Sequence, residues 1–378
     1  MIRLLVVDDS ALMRRLLGGL FAAEGDFEVA FARDGREALA AHARFRPDVV
    51  TLDVAMPGLD GLACLDGIML ERPCAVVMLS GLTAAGAEVT LDALERGAVD
   101  FIAKPSGAVS LDFDRIGPAI VQKVRAAAGA RLRPALGLGA RVRARTSLAR
   151  HRPGGEPRPG ENPRPGGDPR PGVEPRSHAQ PQRAGGVRPG GLVLVGTSTG
   201  GPRALDALLS RLPADFPWPV IVAQHMPGSF TGPLARRLDG LCALGVEEVG
   251  RPLPLAPGRI YVGRGDADVI VARRPAGLVA APIPAHPDHL WHPSVDRLVD
   301  SALDHVDPAR LIGILMTGMG RDGARAMTAL RARGGRTIAE SEETAAVWGM
   351  PGELVRAGGA DVVAPLDAIA DSLLGMLP

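Results

Sequence analysis

Between residues 156 and 176 the chain runs EPRPGE, NPRPGG, DPRPGV, EPR, a hexapeptide begun again at 156, 162, 168 and 174. Proline at that density removes backbone donors and keeps the chain extended, so this stretch cannot join a core. A period of six is two turns of polyproline II, which predicts Arg158, Arg164, Arg170 and Arg176 along one side. Glycine is not at every third position, so the repeat is not collagen. It lies within a patternless linker, 128–190, that divides the 378 residues into two folded parts, 1–127 and 191–378. A flexible tether of about 60 residues has an r.m.s. span of roughly 40–50 Å and holds its ends at near-millimolar effective concentration. An anionic docking strip is the alternative use of its arginines.

Both flanking segments alternate short apolar runs with helical patterns. In the first, 4–7, 27–32, 48–53, 75–80 and 99–103 read as strands, with helices near 11–22, 35–44, 60–70, 86–96 and 113–127. In the second, LVLVG (192–196), VIVAQ (220–224), RIYVG (259–263), DVIVA (268–272), LIGILM (311–316), RTIA (336–339) and ADVVAP (360–365) read as strands. Helices are expected near 201–211, 231–240, 294–305, 322–333 and 366–376. Around 259–281 two strands follow without a helix, which reads as a hairpin-like insert. The fold class is α/β: two doubly wound parallel sheets, the first flavodoxin-like and the second Rossmann-like. Such sheets present their chemistry at the carboxyl ends of the strands.

The net charge of +1 gives no pull toward nucleic acid, although 11 Arg against 4 acids in 141–190 put about +7 there and about −6 elsewhere. Cys64, Cys74 and Cys242 form no C-x-x-C pair and are odd in number, which fits a reduced cytoplasmic interior. MIRLLVVDDSALMRR meets acids too early for a signal peptide, and no apolar run reaches about 18 residues. No membrane insertion is expected.

In the first segment Asp8 and Asp9 follow strand one and Asp53 ends strand three, so a parallel sheet brings three carboxylates to one edge. They repel one another unless a cation joins them, and hard oxygen ligands suit Mg²⁺. Ser80 ends strand four and Lys104 follows strand five; a hydroxyl and an ammonium opposite the carboxylates make a phosphoryl site.

In the second segment Gly196-Thr197-Ser198-Thr199-Gly200 is G-x-S-x-G between a strand and a helix. This is the geometry of a nucleophile elbow, with free N–H groups at the helix start, around Thr199 and Gly200, able to bind an oxyanion. A Gly/Ser turn before a helix equally serves as a cap or a phosphate site. Among eight histidines, His42 lies in a helix of the first segment and His151 and His178 lie in the linker. His225 directly follows a strand and so shares the carboxyl edge with Ser198. His286, His289 and His292 have a metal-like spacing, but Pro287 and Pro293 disfavour a zinc site.

The run LIGILMTGMGRDGARA (311–326) raises a rival, because Gly318, Gly320 and Gly323 spell G-x-G-x-x-G and Glu340 closes the next strand. That is a dinucleotide fingerprint, which makes an NAD(P)-dependent oxidoreductase the alternative. Asp322 within it argues otherwise. Its carboxylate would face the pyrophosphate, whereas at this edge it serves as the acid of a Ser…His…Asp triad.

Two resemblances follow from the quoted motifs. VVDDS, LDVAMPGLDG, MLSG and AKPSG make the first segment, to about residue 125, similar to a two-component response-regulator receiver. The resemblance implies Asp53 as phosphoacceptor, Asp8 and Asp9 with it as Mg²⁺ ligands, Ser80 and Lys104 as phosphoryl contacts and Phe101 as aromatic switch. Ala55 departs from the usual larger polar residue, which implies an altered dephosphorylation rate. GTSTGGPRAL, AQHMPGSFT, WHPSVDRL, LMTGMGRDGA and VWGMPG make residues 192–365 resemble the catalytic domain of chemotaxis protein-glutamate methylesterases. That implies Ser198 as nucleophile, His225 as base, Asp322 as orienting acid, the Met319 N–H as an oxyanion donor and His292 as a pocket residue. Thr197 replaces a commoner alanine. The implied activity is phosphorylation-controlled hydrolysis of glutamate methyl esters on the cytoplasmic helices of chemoreceptors, with deamidation of receptor glutamines. It implies a phosphodonor histidine kinase as partner and no cofactor for the hydrolysis. A decayed, non-catalytic scaffold under receiver control is the remaining alternative. Two carboxyl edges docked face to face would cover Ser198, so a docked first segment is expected to inhibit.

Overall fold

Five strand–helix units open the chain: β1 (Ile2–Val7), α1 (Ala11–Glu24), β2 (Phe27–Ala32), α2 (Gly35–Phe45), β3 (Val49–Asp53), α3 (Gly61–Glu71), β4 (Ala75–Ser80), α4 (Ala84–Arg96), β5 (Asp100–Ala103) and α5 (Val109–Ala128). The computed structural model describes residues 1–104, 109–132 and 190–377. The proline repeat with its four arginines lies outside the described residues. The sheet is wholly parallel in the order β2-β1-β3-β4-β5. Its strands are apolar on both faces because helices cover both, with Leu4, Val6, Val77 and Leu79 packed against Phe21 and Val124. Ser10, Asp34, Asp60 and Thr83 cap the first four helices with side-chain oxygens, which sets each start just past the carboxyl edge.

The second domain contains β6 (Leu192–Thr197), α6 (Gly201–Leu209), β7 (Val220–Gln224), α7 (Gly228–Leu241), β8 (Gly245–Val249), β9 (Leu253–Pro254), β10 (Arg259–Gly263), β11 (Ala267–Arg274) and β12 (Gly277–Pro284). It continues with α8 (Val295–Leu303), β13 (Leu311–Leu315), α9 (Ala324–Ala332), β14 (Arg336–Glu340), α10 (Met350–Arg356), β15 (Val362–Ala364) and α11 (Ile369–Met376). Seven strands form a parallel sheet in the order β15-β14-β13-β6-β7-β10-β8. The central strands β13, β6 and β7 run in register, Leu315 beside Gly196 and Thr197 beside Gln224. Residues just past those pairs therefore emerge side by side.

The expected insert is corrected in its pairing. RIYVG does not join DVIVA; it is β10, in the main sheet. DVIVA belongs to β11, which pairs antiparallel with β12 and through it with β9. The β12 sequence GLVAAPIP hides its strand character behind two prolines and few β-branched residues.

The two domains pack as one unit. Among the described residues the contact runs along α4 and the start of β5 and not across the carboxyl edge that carries Asp53, so the face-to-face expectation is also corrected. Phe101 stacks on Phe230 of α7 at 4.3 Å between centroids. Arg237 reaches Asp206 of its own domain at 2.6 Å and Glu95 of α4 at 3.3 Å. The α4–β5 face supplies an aromatic ring and acids that fit this surface. Among the described residues no helix is long and apolar enough to cross a membrane.

Candidate active site

Ser198 follows β6 and His225 follows β7, so the parallel register sets them at one edge. The His225 N–H donates to Thr197 O at 3.0 Å, and the Ser198 N–H donates to Thr317 O at 3.0 Å. Asp322 arrives from the loop after β13, and its Oδ2 lies 2.8 Å from His225 Nε2. A carboxylate can only accept, so Nε2 carries the proton and Nδ1 the lone pair. Nδ1 is buried and, among the described residues, has no hydrogen-bond partner.

Asp322 accepts three further bonds: Ser294 Oγ at 3.0 Å, Val295 N at 2.7 Å and Asp296 N at 3.0 Å. These donors form the start of α8, where unpaired N–H groups and the helix dipole favour an anion. Burial alone would raise the Asp322 carboxyl, but the His225 hydrogen bond and charge, with the Val295 and Asp296 N–H groups, hold it down at about 2. It is an anion with its acceptor positions filled.

That arrangement disposes of the dinucleotide reading. A Cβ on Gly318 would sit 2.4 Å from Met350 Sδ and 2.8 Å from Ser198 Cβ, so this glycine makes room for the serine turn. Gly320 and Gly323 have φ of 79° and 86°, which lets the loop turn Asp322 back toward His225. Buried Glu340 accepts from Thr317 N at 2.8 Å and from Thr344 Oγ1 at 3.0 Å, where a ribose partner would need it exposed.

Gln224, unremarked in the sequence, ties the elbow together. Its Oε1 accepts from Thr197 Oγ1 at 2.6 Å, and its Nε2 donates to Ser198 O and His225 O at 3.0 Å each. Thr197, where an alanine is commoner, thus has a partner for its hydroxyl. The sequence signal was an amide at the end of a buried strand, where a polar side chain must have partners.

The remaining candidates are less uniform. Met319 is buried in a loop held by Gly318 N to Val347 O at 3.0 Å and Met350 N to Gly318 O at 2.8 Å. Among the described residues its own N–H has no hydrogen-bond partner. His292 lies 2.8 Å from Asp268 through Nδ1, His289 meets Ser294 Oγ at 3.1 Å, and His286 faces Asp288 at 3.6 Å, so the three histidines take separate partners. The first domain reaches the elbow itself. Thr199 Oγ1 donates to Asp100 Oδ2 at 2.6 Å, and Gly200 N donates to Val99 O at 3.2 Å. A cavity of about 250 Å³ opens beside it, with Phe101, Ile120 and Lys123 on one wall and His225, Trp291 and His292 on the other.

In the first domain, ligand oxygens of Asp8, Asp9 and Asp53 lie within 4.8 Å of one another. Lys104 Nζ is 2.8 Å from both Asp8 Oδ2 and Asp53 Oδ2. Burial raises the Asp53 carboxyl more than Lys104 lowers it, with Asp8 adding to the rise. Asp8 Oδ2 is buried, with the Lys104 ammonium against it at 2.8 Å. Three crowded carboxylates with hard oxygen ligands fit a divalent cation. Ser80 Oγ points elsewhere, donating to Gly86 O of α4 at 3.2 Å.

Two family models match the chain: CheB methylesterase over residues 193–373 and response regulator receiver domain over residues 4–112. A protein-glutamate methylesterase/protein-glutamine glutaminase 2 of Rhodopseudomonas palustris (strain BisB18) is 56% identical over 374 residues, 99% of this chain and 98% of its own. A protein-glutamate methylesterase/protein-glutamine glutaminase 3 of Rhodospirillum rubrum is 50% identical over 376 residues, 99% of this chain and 95% of its own. A relative of that name from Caldanaerobacter subterraneus subsp. tengcongensis is 42% identical over 376 residues, 99% of this chain and 96% of its own.

Two outcomes are expected from this geometry. Gln224→Ala strands a buried hydroxyl and two carbonyls, and should lower stability by about 2–4 kcal/mol. Urea unfolding of the full chain measures it, and a loss below about 1 kcal/mol would mean water replaces the amide. The Asp322 carboxyl, at about 2 when folded and about 3.9 when unfolded, adds stability that is complete above about pH 4 and disappears as pH falls through about 2. That component is about 2–3 kcal/mol. The gap in urea midpoint between wild type and Asp322→Asn should therefore narrow as the pH is lowered from 5 to 2; a constant gap would show that the carboxylate is not specially held.

Proposed function

The chain belongs to the CheB methylesterase family, with a response regulator receiver domain ahead of the methylesterase domain, and from that premise we propose that it hydrolyses glutamate 5-methyl esters on chemoreceptors under phosphorylation control. We take the receiver as 1–127, the tether as 128–190 and the catalytic domain as 191–378. The observation that carries the reading is the imidazole of His225, bound by Asp322 through Nε2 and left with a buried, unpartnered Nδ1 at the serine turn.

In this reading Ser198 Oγ attacks the ester carbonyl while His225 Nδ1 takes its proton. The oxyanion is met by N–H groups at the Gly318–Gly320 loop, that of Met319 first, and at the helix start around Thr199. The protonated imidazole, stabilised by Asp322, returns the proton to methoxide, which leaves as methanol. A water then gives its proton to Nδ1 and attacks the acyl-enzyme, releasing the glutamate carboxylate and restoring Ser198. A receptor glutamine carboxamide presents the same carbonyl and would leave as ammonia, which makes deamidation the companion activity. His292 lines the substrate pocket, and the substrate is the cytoplasmic helical part of a chemoreceptor, met in the cytoplasm.

Control follows from the contact between the domains. Asp100 and Val99 hold the two residues after the nucleophile, so the Gly200 N–H is unavailable to an oxyanion while the receiver is docked. The receiver accepts a phosphoryl group on Asp53 from a histidine kinase, and the Mg²⁺ that Asp8, Asp9 and Asp53 would hold supplies positive charge to that group. Lys104 and Ser80 contact the phosphoryl oxygens. Ser80 must leave the Gly86 carbonyl to do so, which removes one tie between β4 and α4, and Phe101 then parts from Phe230.

Ser198→Ala and His225→Ala should each lower methanol release from methylated receptor by about four orders of magnitude, and the double variant should be little worse. Losses that multiplied would argue against one shared mechanism. Residues 190–378 alone should outpace the unphosphorylated full chain. Acetyl phosphate with Mg²⁺ should raise full-chain activity, Asp53→Ala should abolish that response, and Asp100→Ala should raise basal activity about three- to tenfold. Equal basal rates in fragment, variant and full chain would remove inhibition by docking.

A further inference from the structure

Asp268 has no part in the steps above, yet it is fully buried and surrounded by donors. It stands near the start of β11, in the small antiparallel sheet beside the main one. Its Oδ1 accepts from Ser294 N at 2.6 Å and from His292 Nδ1 at 2.8 Å. Its Oδ2 accepts from His286 N at 3.2 Å and from the Arg297 guanidinium. All four donors belong to one segment, 286–297, which leads into α8.

The start of α8 is also where Asp322 takes three of its four hydrogen bonds. Ser294 joins the two carboxylates directly: its N–H goes to Asp268 and its hydroxyl to Asp322. Two buried anions sharing one residue raise each other's electrostatic cost. Arg297 and the helix N-terminus offset it. Apolar packing would anchor this segment with less desolvation. What it would lack is direction, because only a hydrogen-bonding anion fixes both the Ser294 backbone and the His292 ring.

We propose that Asp268 is a positioning residue for the hydrolysis, acting through Ser294 and the first turn of α8 to aim the Asp322 carboxylate at His225. The proposal rests on the esterase reading. A displacement of Ser294 moves the Asp322 oxygens, turns the imidazole, and misaligns Nδ1 for the proton it takes from Ser198. Proton transfer is sensitive to such shifts, because a misplacement of about 1 Å can cost on the order of a hundredfold. Asp268 also holds the ring of His292, which lines the pocket, so KM can change as well; the loss in kcat is what marks the positioning role.

The test uses the full chain, activated with acetyl phosphate and Mg²⁺, acting on a methylated chemoreceptor fragment and on 4-nitrophenyl acetate. Asp268→Asn, checked for folding by circular dichroism, should lower kcat for both esters by about 10- to 100-fold, whatever change in KM accompanies it through His292. Ser294→Ala should also lower kcat. The double variant should be no slower than the worse single variant, because both changes interrupt one path. If Asp268→Asn does not fold, Asp268→Glu, which keeps the charge but displaces it by a methylene, carries the same cycle. Multiplied losses, or an effect confined to KM, overturn the proposal. A wild-type protein that releases no methanol sinks the esterase reading instead, so the two failures are distinct.

Discussion

The Asp322 carboxylate accepts four hydrogen bonds, and the site is organised around that saturation. Two donors are free N–H groups at a helix start, one is the hydroxyl of the residue capping that helix, and the fourth is the imidazole. An anion so held can stay ionised although it is buried, because its lone pairs have partners and the helix dipole favours its sign. The imidazole then has one nitrogen committed as a donor, which leaves the other, at the serine turn, with a free lone pair. Glycines at 318, 320 and 323 follow from the same demand: one gives space to Ser198, and two supply the positive φ that brings the carboxylate back over the sheet edge.

The receiver meets this site with modest means. An aromatic stack, two hydrogen bonds to the elbow and a few ion pairs at the rim would bind weakly between separate molecules. Within one chain such a contact needs less affinity than it would between separate molecules. The contact falls on the two residues after Ser198 and leaves the His225–Asp322 pair assembled.

Much of this was legible beforehand, and the reasons differ by element. The central strands were readable because parallel strands covered on both faces are nearly continuous apolar runs, as LVLVG and VIVAQ are. Strand β8, GVEEV, and helix α10, with Pro351 and Gly352 near its start, were missed because one is polar along a sheet edge and the other is barely two turns. The hairpin was misassigned because RIYVG and DVIVA are equally good strands, and only their surroundings separate them. The glycine fingerprint was ambiguous on spacing alone; the charge of Asp322 broke the tie, since an anion does not face a pyrophosphate.

The sequence by itself determined that Ser198, His225 and Asp322 would share one edge, because strand direction and strand ends are local properties and a parallel sheet puts like ends together. It also determined that Asp8, Asp9, Asp53 and Lys104 would crowd another edge. Only the tertiary structure decided that Nδ1 is the free nitrogen, that Gln224 clamps the elbow, that Asp268 and Asp322 meet through Ser294, and that Val99 and Asp100 close on Thr199 and Gly200. Those are contacts across loops and domains between residues far apart in the chain. No periodicity encodes them, because a hydrogen bond is fixed by distance and direction in space, and neither is set until the sheets have closed around it.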